Sequence, residues 1–344
     1  MAEFDIRKRE DRIGRYLKKY LDGFLFAEFS QMFLDHSDIE KVMKGVPIPL
    51  KKHDAAGLES EEGIHMLDIA ENMAVVIGCD PHFEHASSYI ECIKMLYGAR
   101  FRAGLNMNAV RLASEERYDM ACIRFRAALC LDEKDPDAMY GYARVCRSMY
   151  LEKEGNEDEG EYTGRFKAES IEMFELLTLA HPDFDMGHYY LGYAYINLGM
   201  YKKAEIAWTD FLHLSENEEA KKEIRERMAQ LRDPVVIEDG CNMISTGRYE
   251  EGLAVLEEYK DSGFSKWWPL HYYMGIGYSM TGHPEEAETA FKRVLRLNAS
   301  HLDTMRELVE LYKATGNEEG RHKYEEKIKL VKQGMMEEAK EPLN

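Results

Sequence analysis

Along residues 188–214, HYYLGYAYINLGMYKKAEIAWTDFLHL, apolar positions recur with helical rather than strand spacing. Leu191, Tyr195 and Leu198 fall at i, i+4 and i+7 on one helical face, with small Gly192 where a neighbouring helix can approach closely. Gly199 ends that helix. Tyr201, Ala204, Trp208 and Phe211 then run at i, i+3, i+7 and i+10, a second stripe whose Ala204 leaves room for another close crossing. The pattern predicts an antiparallel helical hairpin. One hairpin cannot bury both stripes, so stacked copies are expected at a fixed period.

The copies are present. Gly247, Tyr249, Gly252 and Leu256 reproduce the turn glycine, the aromatic, the small crossing residue and the large packing residue, preceded by Gly240 on the first helix. Gly282, Pro284, Ala287 and Phe291 repeat them after Met274, Gly275 and Tyr278. Gly247 to Gly282 is 35 residues and Gly282 to Gly316 is 34. Upstream, Tyr118, Ala121, Phe125, Ala128 and Leu131 fit a second helix, and Met139, Tyr142, Ala143 and Cys146 a first helix. Its partner carries Phe166, Ile171, Phe174 and Leu177 and ends at Pro182.

On these residues the chain resembles the tetratricopeptide repeat family from about Phe101 to about Val331, with a period near the family's ~34 residues. Gly252 and Arg321 stand where the family usually has alanine, and Glu216, Phe264 and Ala299 where it has proline. The resemblance implies an all-α fold, a right-handed α-solenoid of about six stacked helical hairpins, preceded here by a helical N-terminal region. The expected divisions are 1–100, a helical region or divergent cap; 101–217 and 233–331, the repeats; 218–232, a charged helical extension; and 332–344, a polar tail.

Outside the repeats, residues 1–36 read as one long helix or two short ones, with Ile6, Ile13, Leu17, Tyr20 and Phe24 on a stripe that broadens, buried, through FLFAEFSQMFL. Ser37 or Asp38 is expected to cap DIEKVMKG, and Pro47 and Pro49 to keep VPIPLKK extended. Ser60 with Gly63 and Asp80 with Pro81 are expected to open two further helices. The acidic segment Leu151–Thr163 lacks apolar periodicity and reads as a mobile loop. Residues 218–232 carry only the narrow seam Ile224, Met228 and Leu231.

Composition narrows the function classes. With 45% apolar and 32% charged residues, the chain reads as folded and soluble. A net charge of −19 argues against nucleic acid, which needs a basic face, and favours a neutral or basic protein or peptide partner. The DNA-reading helix-turn-helix that SQMFLDHSDIEKVMKG suggests is disfavoured because residues 1–60 are nearly balanced in charge and offer no phosphate-binding stripe. No apolar run approaches the ~20 residues of a membrane span, and the opening residues lack a signal-peptide core, so no membrane and a cytoplasmic location are expected. The six cysteines form no CxxC and read as free, buried thiols.

Little points to chemistry. His82 and His85 lie one helical turn apart but lack a patterned third ligand, and no GxSxG, HExxH or P-loop is present. No cofactor, metal or catalytic residue is expected. The functional expectation is a non-enzymatic interaction module or scaffold. Its alternatives are a peptide-responsive regulator, or an enzyme with an unrecognised site in residues 1–100. With the packing stripe assigned, Tyr189, Tyr193 and Ile196 are left over on the adjacent face of their helix, which in the family lines a concave peptide-binding groove. The matching residues are Tyr140, Arg144 and Arg147 in the preceding unit and Tyr272, Ile276 and Ser279 in the unit at His271. Tyrosines suit such a wall, since a rigid ring supplies apolar area and a hydroxyl at little entropic cost. Arg144 and Arg147 are placed to hold one carboxylate.

Overall fold

Helices dominate the computed structural model, which describes residues 3–52 and 65–338. Ser60 and Gly63 lie outside the described residues. The chain divides into two compact units, Met1–Ala194 with Thr209–Glu216, and Tyr195–Trp208 with Asn217–Asn344.

The first unit opens with a strap rather than a long helix. Only Gly14–Leu17 (α1) is α-helical before a 3-10 turn at Lys18–Gly23. Phe24–Ala27 (β1) then pairs antiparallel with Ile48–Lys51 (β2), Leu25 opposite Leu50. Ile6, Ile13 and Leu17 are buried as their spacing suggests, but Leu25, Phe26, Met32 and Phe33 are exposed. The reason is non-local. Besides local contacts such as the Gly14 N–H on Asp11, the side chains of Arg9, Asp11 and Arg12 pair with charges on distant helices. Gln31–Leu34 (α2) and Glu40–Met43 (α3) have four residues each, too short for a groove-reading helix. Ile39 precedes α3 without a side-chain cap, while the Ser37 hydroxyl donates to the Leu34 carbonyl.

Met66–Cys79 (α4) and Ala86–Tyr97 (α5) follow, the latter opening five residues after Pro81 because Asp80 accepts from the His82 N–H and holds a turn. α4 packs chiefly on Tyr118–Leu131 (α7) rather than on α5. Gly78 permits this: a Cβ there would sit 2.1 Å from the Ile123 carbonyl oxygen.

The hairpins begin with Ala99–Ser114 (α6) and α7, followed by Pro136–Lys153 (α8) and Gly160–Ala180 (α9). The acidic segment is helical at both ends rather than a loop. α8 runs to Lys153, Glu157–Glu159 form a 3-10 turn, and Glu161 in α9 pairs with Arg15 of the strap. Asp185–Asn197 (α10) and Tyr201–Leu214 (α11) are shared between the units, their outer ends in the first and the Gly199 turn in the second. Leu198 is exposed, so the stripe of α10 ends at Tyr195.

In the second unit Glu218–Gln230 (α12) is the charged extension, buried only at Ile224. Arg232–Ser245 (α13) pairs with Tyr249–Glu257 (α14), Trp268–Met280 (α15) with Pro284–Leu297 (α16), and Leu302–Thr315 (α17) with Glu318–Glu338 (α18). First helices touch first helices, α13 to α15 and α15 to α17, as stacked hairpins require. α18 continues past 332, into the stretch expected to be a polar tail.

One turn recurs. Gly199, Gly247, Gly282 and Gly316 have φ of 70°, 87°, 80° and 73°. The next N–H returns to the carbonyl five residues back, Met200 to Tyr195, Arg248 to Met243, His283 to Tyr278 and Asn317 to Tyr312, at 2.8–2.9 Å. This is the Schellman closure of a helix end. α6 ends the same way, with Arg117 N–H on the Leu112 carbonyl at 2.9 Å, but Glu116 occupies the left-handed position at φ 59°. At Gly252 the helices cross closely: a Cβ there would lie 2.8 Å from the Gly240 carbonyl oxygen.

Two stability measurements check these contacts. Glu116→Gly relieves a left-handed side chain at the cost of unfolded-state entropy, and is expected to raise the unfolding free energy by about 0.5–1 kcal/mol. Gly78→Ala forces α4 off α7 and is expected to lower it by roughly 1–3 kcal/mol or more.

Candidate functional site

Four of the sequence-selected residues converge on a residue the sequence analysis did not select. Tyr190 stacks on Phe174 of α9 (5.4 Å, 11°) and meets Tyr140 of α8 at 6.0 Å and Tyr189 at 5.2 Å. The guanidinium groups of Arg144 and Arg147 lie 5.5 and 5.6 Å from its ring centroid, and Arg144 is also 5.5 Å from that of Tyr140. Tyr189 in turn contacts Tyr193 (5.1 Å) and Phe211 (5.2 Å). Tyr140, Arg144, Arg147, Tyr189 and Tyr193 thus form one continuous aromatic and cationic surface within the first unit.

Helix phase produces this arrangement. Asp135 caps α8 by accepting from the Ala138 N–H, with Pro136 at the first helical position, which fixes where Tyr140 and Arg144 emerge one turn apart. Met139, Tyr142, Ala143 and Cys146 face inward and are buried. Arg144 is exposed and Arg147 half-buried, and neither makes an ion pair among the described residues. Stacking on a ring stabilises a cation by about 0.5–1 kcal/mol at an exposed site, leaving its N–H groups available. Burial pushes the Tyr140 hydroxyl up to about 12, so it stays a neutral donor.

Beside these residues lies a cavity of about 840 Å³, lined by Met107, Val110, Tyr118, Tyr140, Arg144 and Ser148 among others. It runs between α6 and α8. Met107 and Val110 are 75% and 61% exposed, apolar surface that packing within the unit leaves open. The floor is made by Gly141, where a Cβ would meet the Phe125 ring at 2.2 Å.

The remaining selected residues belong to the second unit. Ile196, Tyr272, Ile276 and Ser279 are half-buried. Tyr272 packs against Trp268, Phe291 and His301, and Ile276 against both apolar clusters of that unit, so these two side chains chiefly bind hairpin to hairpin.

Groups able to do chemistry are mostly engaged. Burial pushes the thiols of Cys79, Cys130 and Cys241 up to about 12, and all six cysteines are free and buried. His82 does come near two carboxylates, those of Asp11 and Asp80, with one ligand atom from each residue within 4.8 Å of the others. Both carboxylates already hold cations, Asp11 that of Arg126 (2.9 Å) and Asp80 that of Lys18 (2.8 Å). His85 lies instead against the Phe83 ring. Among the described residues no helix is long and apolar enough to cross a membrane.

No family model matches the chain, and no curated protein matches it. Solved structures are similar at low identity. MamA from Desulfovibrio magneticus RS-1, residue 41 to its end, is 15% identical, covering 56% of this chain and 96% of its own, at a TM-score of 0.31. YrrB, described as a TPR protein with an unusual peptide-binding site, is 20% identical, covering 59% and 89%, at 0.29. A tetratricopeptide repeat protein from Parabacteroides merdae ATCC 43184 is 14% identical, covering 76% and 93%, at 0.31. Superpositions this loose say nothing about the site. The stacked-hairpin fold rests on this chain's own helices, with left-handed turns 35 and 34 residues apart from Gly247 to Gly316 and first helices in contact.

Two histidines at the same repeat position tie each hairpin to the preceding link. His188 Nε2 donates to the Pro182 carbonyl at 2.9 Å and His271 Nε2 to the Ser265 carbonyl at 2.8 Å, each six residues back. Burial holds His271 below its ordinary pKa of 6.5, with Arg293 adding to the effect against the Ser265 bond and Asp261. The folded state therefore favours the neutral ring. That contribution is complete above the unfolded value and is lost as pH falls toward the folded one. Between about pH 7 and about pH 5 the melting temperature is expected to fall less in His271→Gln than in the natural chain; an equal fall would count against the assignment.

Proposed function

We propose that the chain is a non-enzymatic protein–protein interaction module whose first unit holds a peptide or protein segment. The segment lies against α6, α8 and residues 189–193 of α10. What supports this reading is the continuity of the surface centred on Tyr190 with the 840 Å³ cavity that exposes Met107 and Val110. Aromatic and arginine side chains that remain partly open beside apolar surface are the residue types that dominate binding energy at interfaces. Arg144 and Arg147, stacked but without carboxylate partners among the described residues, would hold one carboxylate of the segment. The net charge of −19 favours a segment otherwise neutral or basic and disfavours nucleic acid. A reducing cytoplasm suits six free buried thiols.

The test takes a partner captured from the native cell and measures its affinity for full-length variants. Arg144→Ala and Met107→Asp change side chains that reach solvent, and each is expected to weaken binding by roughly 1–3 kcal/mol with far-ultraviolet circular dichroism unchanged. Full affinity in both variants would place the contact elsewhere on the chain.

A further inference from the structure

The second unit contains a cavity of its own, about 760 Å³, that neither the repeat pattern nor the proposed peptide face uses. One wall is a single stripe of α16, Glu285 and Glu286, then Thr289 and Ala290, then Arg293 and Arg296. The opposite wall is His271 and Met274 of α15, and the link contributes Lys260, Asp261 and Ser265. Along the stripe the charges are separated by two turns, so acid and base cannot reach each other. From Glu286 to Arg293 is seven residues, about 10 Å at ~1.5 Å per residue. Lys260, Arg293 and Arg296 make no ion pair among the described residues; Arg293 only donates to the Ser265 carbonyl at 3.4 Å.

The helix dipole favours acids at a helix start and bases at its end, which accounts for the order of the charges. It does not account for their isolation. Elsewhere on the same helix Glu288 pairs with Lys292 one turn away. The cavity-facing stripe alone keeps an acidic pole and a basic pole apart, across a neutral centre of Thr289, Ala290 and Met274.

We propose that this cavity binds a short bipolar peptide segment, with a lysine, arginine or amino terminus at Glu285 and Glu286. Its carboxylate, three or four residues away, meets Arg293 and Arg296. An extended chain rises about 3.3 Å per residue, so three residues span the ~10 Å between the poles. Exposed Thr289 meets the intervening residues, above a floor of the buried Met274 and Ala290. The doubly anchored His271 and Arg293 hold the link carbonyl of Ser265 in place, so the wall is formed before the ligand arrives.

The full chain is titrated at low salt with acetyl-Lys-Ala-Ala-Glu-amide and with acetyl-tetra-alanine-amide, following the Met274 and Ala290 methyl resonances. The charged peptide is expected to shift both saturably and the neutral one to leave them unmoved. In R293Q/R296Q and in E285Q/E286Q the dissociation constant is expected to rise roughly tenfold or more. Arg144→Ala, in the first unit, is expected to leave it unchanged, which separates this site from the face around Tyr190. Absence of a saturable shift, equal shifts from both peptides, or unaltered binding in both double variants would overturn the proposal.

Discussion

Every hairpin but α8–α9, whose link runs through a 3-10 turn, depends on one residue held in the left-handed region, followed by an N–H that returns to the carbonyl five residues back. That turn reverses the chain within two residues and fixes the rotational phase of the second helix against the first. Once the phase is set, the stripes Ala204, Trp208 and Phe211, or Ala287, Phe291 and Val294, can only point inward, and all six are buried. What remains on each first helix is then either the contact to the preceding hairpin or open surface. The candidate face is made of that remainder.

The turns were legible in the sequence because glycine at a left-handed position is visible as a letter. Glu116 was not, since nothing in RLASEERY distinguishes a glutamate at φ 59° from one in a helix. The same limit hid Tyr190. A phase argument confined to one hairpin separates an inward stripe from an outward one, and Tyr190 belongs to neither, because it faces Phe174 and Tyr140 of the hairpin before. A signal was available in the doubled HYY at 188–190 and 271–273. Tyr273 likewise packs on the apolar cluster that includes Leu253 and Leu256 of the preceding hairpin.

Residues 3–20 show a different kind of illegibility. Their apolar spacing correctly marked Ile6, Ile13 and Leu17 as buried, yet the backbone is decided by charges that meet partners over a hundred residues away. Arg9 and Arg12 converge on Glu169 and Glu172 of α9, Asp11 on Arg126 of α7, and Tyr142 donates to Glu169 at 3.0 Å. Burial raises the Glu172 carboxyl, and the Arg12 and Arg9 guanidinium groups more than reverse it, leaving it below its ordinary value. Breaking such a buried set leaves uncompensated charge, which is why the strap and the start of α9 order each other. Read alone, the acidic stretch from Leu151 has no reason to be helical. Glu161 acquires one from Arg15, and Tyr162 from the Tyr16 ring 4.9 Å away.

The central claim is that the open surface beside Tyr190 is where a partner lies. Photo-crosslinking tests it most directly, with p-benzoylphenylalanine placed in turn at Met107 on α6 and at Leu330 on α18, exposed apolar positions at 75% and 65%. Irradiation with a partner captured from the native cell should give a covalent adduct from position 107 and none from 330. Adducts from 330 alone, or equally from both, would contradict the account.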